Sequence, residues 1–150
     1  MQRSLSYPFF VSALFYLGLF FVYESLSTIY LFMPPLLGVL LFYFLQAIKK
    51  EDLSLLFLIM LMLLIFEANY GYLFFSTMVY FAFIYKFVTP RLEQYMQCRL
   101  CILAINTLLA YVGFYAFSLL LSQVLWMGAP AINGYLLWYI IAEFFMVILL

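Results

Sequence analysis

The chain has 150 residues, of which 71% are hydrophobic and only 8% are charged, and its formal net charge at pH 7 is zero. This composition excludes an ordinary water-soluble domain and predicts an integral membrane protein whose apolar side chains face lipid. The balanced charge gives no electrostatic reason to expect a nucleic-acid partner. The sequence contains no histidine, which excludes histidine-ligated metal and haem sites and the commonest general base of enzymes.

Apolar stretches separated by short polar connections predict six helices, at about residues 7–23, 29–48, 53–67, 71–87, 100–123 and 134–150. The first stretch has the length of a signal peptide, but Val22-Tyr23-Glu24 lacks the small residues of a cleavage site. More hydrophobic segments follow, so we expect a retained first helix. The sequence between the helices contains no long linker, which predicts a single transmembrane domain.

Two interruptions organise the predicted hairpins. Pro34 and Pro35 cannot continue helical hydrogen bonding, so the second helix is expected to begin or kink there, with residues 29–33 irregular and shielded by protein. The stretch 66–72, which contains Glu67, Asn69 and Gly71, separates two apolar runs. Asparagine and glycine tolerate the backbone shapes of tight turns, so this stretch predicts the outer end of a transmembrane hairpin.

The positions of the charges predict the orientation. With six spans, every cation lies on the amino-terminal segment or on the second and fourth connections, namely Arg3, Lys49, Lys50, Lys86, Arg91 and Arg99. The other connections carry only Glu24 and Glu67. Because basic loops stay in the cytoplasm, the sequence predicts a compact all-α bundle of six transmembrane helices with both termini cytoplasmic.

A polar group inside the last apolar stretch is the first candidate for a functional role. Glu143 lies seven residues before the end of the chain, about 10 Å inside the cytoplasmic surface. Asn106 reaches a similar depth on the fifth helix, and Tyr139 shares a helix face with Glu143. The carboxyl group is expected to face protein and to find a donor or a proton. A proton or ligand pathway, a hydrogen-bonded pin between the fifth and sixth helices, and a contact to a partner helix all fit this pattern.

Two further groups of residues suggest sites near the membrane surfaces. Glu24, Glu67 and Asn69 lie toward the outer face, where they suit recognition of a cation, a solute or a partner's basic residue, although the two carboxylates are better interpreted as solvated loop ends. Cys98 and Cys101 form a C-x-x-C motif beside Arg99, a cation that would lower the thiol pKa and suit redox chemistry. The predicted topology places this pair on the reducing side of the membrane, where thiols normally stay free.

The layout resembles that of the MreD family of bacterial rod-shape-determining membrane proteins. The matching features are Pro34-Pro35-Leu36-Leu37 at the second helix, Glu67-Ala68-Asn69-Tyr70-Gly71 after the third, and the following apolar run Tyr72–Tyr85. The family usually carries an aspartate at the position of Glu67. The resemblance implies a non-enzymatic, cofactor-free scaffold of peptidoglycan synthesis and cell shape in the bacterial inner membrane. Its partners would be lipid, the single-span protein MreC and, through it, MreB, RodA and a penicillin-binding protein.

Two alternatives come from other functional classes. The substrate-binding subunits of energy-coupling-factor vitamin transporters are also small six-helix proteins, and Glu24, Glu67, Asn69, Gln123 and Asn133 would line an outer solute site in such a protein. A membrane thiol oxidoreductase would depend on Cys98 and Cys101. The oligomeric state does not follow from any of these patterns.

Overall fold

A computed structural model describes residues 7–128 and 134–150, and all secondary structure in these ranges is helical. The helices are α1 Tyr7–Ile29, α2 Leu37–Lys49, α3 Leu53–Tyr70, α4 Ser76–Phe83, α5 Thr89–Tyr95, α6 Arg99–Leu108, α7 Phe114–Leu125 and α8 Leu136–Leu149. π-Helical turns at Ile84–Val88 and Leu109–Gly113 join α4 to α5 and α6 to α7 without a break. The described residues therefore form six helical rods, and the all-α prediction is confirmed.

Three of these rods are long and apolar enough to cross a membrane, namely Phe10–Ile29, Leu53–Tyr70 and Arg99–Leu125. Helices α2 and α8 are apolar but shorter, with 13 and 14 residues. A perpendicular span of a typical bilayer takes about 20 residues. Length and composition therefore support a membrane protein, and the count of six spans stays a prediction.

Helix α1 is longer than the sequence pattern indicated, because it continues through the polar residues after Tyr23 to Ile29. Two of the three hydroxyl groups of this segment bond to carbonyls inside the helix, and the third, on Ser27, bonds outside it to Met33 and Tyr70. Ser25 donates to the carbonyl of Phe21 at 2.8 Å, and Thr28 donates to the carbonyl of Ser25 at 2.7 Å. Short polar side chains that bond to the preceding turn do not end a helix, so the predicted connection at residues 24–28 is wrong.

The predicted turn at residues 66–72 lies further along the chain. Helix α3 continues to Tyr70 and ends at Gly71, which has a left-handed conformation with φ of 70°. The amides of Gly71 and Tyr72 donate to the carbonyl of Glu67, the bonding expected when glycine ends a helix. As a result, Glu67 and Asn69 belong to the last turns of α3, and residues 71–75 make the turn.

Helix α2 lies at the centre of the molecule and packs against α3, α6 and α8, while α1 packs against α3. The core includes fully buried large side chains on α2, α3 and α4, among them Leu41, Leu63 and Phe81. Aromatic rings fill the end of the core next to the turn after α3. The ring centroid of Phe66 lies 4.9 Å from that of Tyr70, and the ring centroid of Tyr72 lies 5.1 Å from that of Phe114.

The π-helical turn between α6 and α7 has an identifiable cause. Tyr80 on α4 donates a hydrogen bond of 2.7 Å to the carbonyl of Leu109, which is the acceptor that the amide of Gly113 would use in an α-helix. The Tyr80 hydroxyl occupies the space in which a side chain at position 113 would lie. A side chain from a neighbouring helix thus interrupts the regular hydrogen bonding, and Gly113 leaves room for it.

Candidate functional site

Three glutamates, Glu24, Glu67 and Glu143, are completely buried, each with 0% of its surface exposed. They belong to α1, α3 and α8. The interpretation of Glu24 and Glu67 as solvated loop ends, or as contacts open to a partner at the outer face, is therefore wrong. Both helices continue past their glutamate, and this places the carboxyl groups inside the bundle.

Glu143 caps the amino terminus of α2. Its Oε2 accepts hydrogen bonds from the amide of Gly38 at 2.5 Å and the amide of Val39 at 3.2 Å, and its Oε1 accepts one from the hydroxyl of Tyr111. The amides of a first helical turn have no partner within their own helix, and Leu36 before it supplies no side-chain cap. A carboxylate also suits the positive end of the helix dipole. Glu143 therefore connects α8, α2 and the π-helical turn before α7.

Gly38 makes this close approach possible. A Cβ atom at position 38 would lie 2.6 Å from Oε2 of Glu143 and 3.1 Å from Cγ2 of Thr107. Both distances are shorter than an ordinary contact, so any side chain at this position would push the carboxylate away from the amides of α2.

Glu67 caps α4 in the same manner. Its Oε2 accepts from the amide of Phe75 at 2.7 Å, and its Oε1 accepts from the amide and hydroxyl of Thr77 at 2.7 and 2.5 Å. The hydroxyl of Ser76 lies 3.3 Å from the same Oε1. Phe75, like Leu36 before α2, has a left-handed conformation and supplies no cap of its own. The same arrangement therefore occurs at the start of α2 and at the start of α4. In each case a residue with a left-handed conformation precedes the helix, and a buried glutamate from another helix accepts hydrogen bonds from the amides at its amino terminus.

Glu24 differs from the other two glutamates because neither of its carboxyl oxygens has a hydrogen-bond partner among the described residues. The carboxyl group of Glu24 is close enough to the carboxyl group of Glu143 for electrostatic interaction. The hydroxyl groups of Tyr70 and Tyr111 are also close enough to interact with Glu24 in this way. The hydroxyl groups nearby are bonded elsewhere. Tyr70 shares a hydrogen bond of 2.8 Å with Ser27, and Tyr111 donates to Glu143.

The other predicted intramembrane groups take separate positions. Tyr139 donates a hydrogen bond of 2.5 Å to the carbonyl of Leu31, in the non-helical segment between α1 and α2. Asn106 does not bond to Glu143, and its Oδ1 is buried without a partner among the described residues. The Nδ2 of Asn69 is buried in the same way. The sequence pattern suggested Asn106, on the predicted fifth helix, as the neighbour of Glu143. The contact is made instead by Tyr111 of the same predicted helix, which the pattern did not indicate.

A cavity of about 460 Å³ lies beside the turn after α3, between this turn and α7. Its lining includes Tyr70, Tyr72, Ser76, Ser118 and Ser122. Ser118 is 6% exposed, and its hydroxyl has no partner among the described residues. Of the residues expected to form an outer solute site, Glu24, Glu67, Asn69 and Gln123 do not line this cavity, and Asn133 lies outside the described residues.

Cys98 and Cys101 are exposed free thiols at the start of α6. A hydrogen bond from the Cys101 thiol lowers the pKa of the Cys98 thiol, whereas the sequence pattern had assigned that effect to the charge of Arg99. The hydrogen bond within the pair therefore favours the thiolate form of Cys98.

No family model, curated protein or solved structure matches the chain. Within residues 7–128 and 134–150, no three or more cysteine, aspartate or glutamate side chains are grouped so that they would hold a metal ion. The chemistry of the site is that of carboxyl groups. Two of them receive hydrogen-bond donors and fix helix ends, and the third has no partner in the described part of the chain.

Proposed function

We propose that this chain is an MreD-like membrane scaffold of the bacterial cell-elongation machinery. In this proposal it is a non-enzymatic, multi-pass protein of the inner membrane, with six spans and both termini in the cytoplasm. It binds an MreC-like single-span protein and is linked through it to MreB, RodA and a penicillin-binding protein. Lipid surrounds the remaining faces of the bundle.

The observation that carries this proposal is the cap that Glu67 places on α4. The resemblance to MreD includes an acidic residue followed by glycine after the third helix, usually an aspartate in that family. Glu67 accepts hydrogen bonds from two amides and a hydroxyl at the start of α4. Aspartate and glutamate are both acceptor-only groups that suit a helix amino terminus, so a capping role accounts for an acidic residue of either length at this position.

The same observation favours a structural role over a catalytic one for two of the buried carboxylates. All four oxygens of Glu67 and Glu143 already receive hydrogen bonds that position α4 and α2. Carboxylates used in this way stabilise the shape of the bundle. The exposed apolar side chains of the outer helix faces are then available to lipid and to a partner helix, which would pack by close contact.

Copurification tests the scaffold proposal. The amino-terminally tagged protein would be isolated from gently solubilised membranes, with a tagged unrelated multi-pass protein as the control, and bound proteins would be identified by mass spectrometry. We expect MreC or a penicillin-binding protein to be enriched over the control, and we expect depletion to give round cells. Normal rods after depletion, together with no enrichment of elongation proteins, would refute the proposal.

The cavity beside the α3–α4 turn favours a second candidate, a substrate-binding subunit of an energy-coupling-factor vitamin transporter. Its volume lies within the range of about 300–1,000 Å³ that is usual for small-molecule sites, and the buried Ser118 hydroxyl lies in its wall. In this case transporter ATPases would copurify and depletion would create a vitamin requirement. Ser118→Phe, which fills the cavity, would abolish uptake, whereas Leu120→Phe on the exposed face of α7 would not.

A further inference from the structure

The buried glutamates divide into two kinds by the hydrogen-bond donors around them. Glu67 and Glu143 receive amide and hydroxyl donors on both oxygens, which stabilises the ionised form. Glu24 is equally buried, and neither of its oxygens receives a donor from any described residue. An ionised carboxyl group in these surroundings would have lost its water without gaining a donor in return.

No described cation compensates Glu24. The basic side chains in the described ranges are all exposed, namely those of Lys49, Lys50, Lys86, Arg91 and Arg99. Lys49 forms an ion pair with Glu93, which is also exposed. Within the described residues, the neutralising charge for Glu24 is therefore not a basic side chain, which leaves a small ion that reaches the interior.

The groups that face Glu24 do not supply a donor either. On its own helix, Tyr23 donates to the carbonyl of Pro34 at 2.9 Å. From α3, the Tyr70 hydroxyl is bonded to Ser27, and from the π-helical turn before α7 the Tyr111 hydroxyl is bonded to Glu143. From α8 the group within interaction range is Glu143, a second carboxyl group, which supplies no positive charge.

We propose that Glu24 is a proton-binding site in the interior of the bundle, holding an exchangeable proton within interaction range of the helix-capping carboxyl group of Glu143. The inference goes beyond the scaffold function and is independent of it, because it concerns the occupant of a buried group and not a partner protein. Loss of the proton would leave an uncompensated negative charge on α1 inside the bundle, within interaction range of Glu143. The packing of α1 against the rest of the bundle is thereby coupled to proton binding.

Labelling with dicyclohexylcarbodiimide tests this proposal directly. This apolar reagent adds as a whole molecule to a protonated carboxyl group in a water-poor environment. The purified full-length protein would be labelled in detergent micelles at a series of pH values, and the adduct would be located by peptide mass spectrometry. We expect one adduct, on Glu24, whose yield increases as the pH is lowered. Glu24→Gln should remove the adduct, and Glu93→Gln should leave it unchanged.

Other outcomes overturn the proposal. Modification of Glu143 or Glu67 in place of Glu24 would show that the proton lies elsewhere, and no modification of Glu24 at any pH would show that it holds none. Suppression of labelling by sodium chloride, but not by choline chloride, at constant pH would identify sodium as the occupant. The location of the adduct in the unmodified protein decides the matter even if Glu24→Gln does not fold.

Discussion

Gly38 is the residue on which the contact between α8 and α2 depends most directly. In an ordinary helix, glycine to alanine is stabilising by about 1 kcal/mol, because alanine is the better helix former. At position 38 the added Cβ would lie 2.6 Å from the Glu143 carboxylate. The steric effect of the added Cβ and the helix propensity of alanine therefore change the free energy of unfolding in opposite directions. The sign of the measured change shows which of the two is larger.

We predict that Gly38→Ala lowers the free energy of unfolding by about 1–3 kcal/mol, the usual cost of overpacking a core. Gly18→Ala is the matched control, because no atom lies within 4 Å of a Cβ at position 18 in α1. Thermal unfolding in detergent micelles would measure both variants. Equal melting temperatures for the two variants would contradict the close approach of Glu143 to α2.

The cysteine pair gives a second prediction at this scale. Because the Cys101 thiol lowers the pKa of Cys98 by hydrogen bonding, Cys98 should react with iodoacetamide faster than an ordinary exposed thiol at neutral pH. Cys101→Ser weakens that hydrogen bond, so alkylation of Cys98 should require a higher pH. Arg99→Gln is the comparison variant. If it raised the pH required for alkylation of Cys98 as much as Cys101→Ser does, the lowered pKa of Cys98 would be caused by the charge of Arg99. A redox function would in addition require that the double variant Cys98→Ser with Cys101→Ser change the phenotype.

The environment of Glu143 was partly predictable. The cost of a charge in the membrane predicts that this carboxyl group faces protein and finds donors. Its partners were not predictable, because Gly38 lies 105 residues away in the chain and presents a backbone amide, which no sequence pattern marks. Asn106 was the residue expected near Glu143, but Tyr111 makes the contact. Depth along a helix follows from counting residues, whereas the direction of a side chain depends on packing between helices.

At the scale of helices, the two capping glutamates differ in how they would tolerate glutamine. One oxygen of Glu143 faces the two amides of α2 and the other faces a hydroxyl, which can also accept a hydrogen bond. Glutamine would therefore fit there, with its NH₂ group donating to Tyr111. Both oxygens of Glu67 face amides, so the NH₂ group of glutamine would oppose a donor in either orientation.

We predict that Glu143→Gln unfolds close to the temperature of the unmodified protein, while Glu67→Gln loses about 1–3 kcal/mol, the cost of a buried group left without a partner. The same unfolding assay compares the two variants under identical conditions. The result would contradict the capping geometry if Glu67→Gln were the more stable of the two. Loss of a measured activity in a folded Glu143→Gln protein would instead indicate that this carboxyl group carries protons.

Helix boundaries show where local sequence patterns are insufficient. The polar run after Tyr23 has the composition of a loop, but the hydroxyl groups of Ser25 and Thr28 bond to the preceding helical turn and Glu24 is buried. The π-helical turn at Leu109–Gly113 has no local signal except a glycine, because the hydroxyl that produces it comes from Tyr80 on another rod. The prolines before α2 and the glycine after α3 marked the interruptions of the helices since their effect on the backbone is local. The expected shielding of residues 29–33 by protein is wrong, because the side chains of residues 29–32 are exposed, and α2 begins only at Leu37.

At the scale of the whole molecule, the basic connections come together. The ion pair between Lys49 at the end of α2 and Glu93 in α5 brings two connections predicted to be cytoplasmic to the same end of the bundle. Both side chains are about half exposed, so the pair marks proximity and contributes little to stability. The distribution of cations over the chain and this contact therefore agree in placing the second and fourth connections at one end of the bundle.

We predict that a fluorescent protein fused after Leu150 is fluorescent and that alkaline phosphatase fused at the same point is inactive, because both reporters would lie in the cytoplasm. Fusions within the turn at residues 71–75 should give the opposite pair of signals. A dark fluorescent fusion together with an active phosphatase fusion at the carboxy terminus would reverse the proposed orientation.

If α8 is one of the six proposed spans, its described length has a consequence for the surrounding membrane. Its 14 residues measure about 20 Å along the axis, compared with a hydrocarbon layer of about 30 Å. Leu137, Ile141 and Phe145 on α8 are exposed, so in a spanning α8 they would face lipid chains. A bilayer in contact with this surface would be compressed locally, at a cost that decreases as the surrounding bilayer becomes thinner. The protein would therefore concentrate in thin regions of membrane, and neighbouring proteins with equally short segments would be drawn to the same regions.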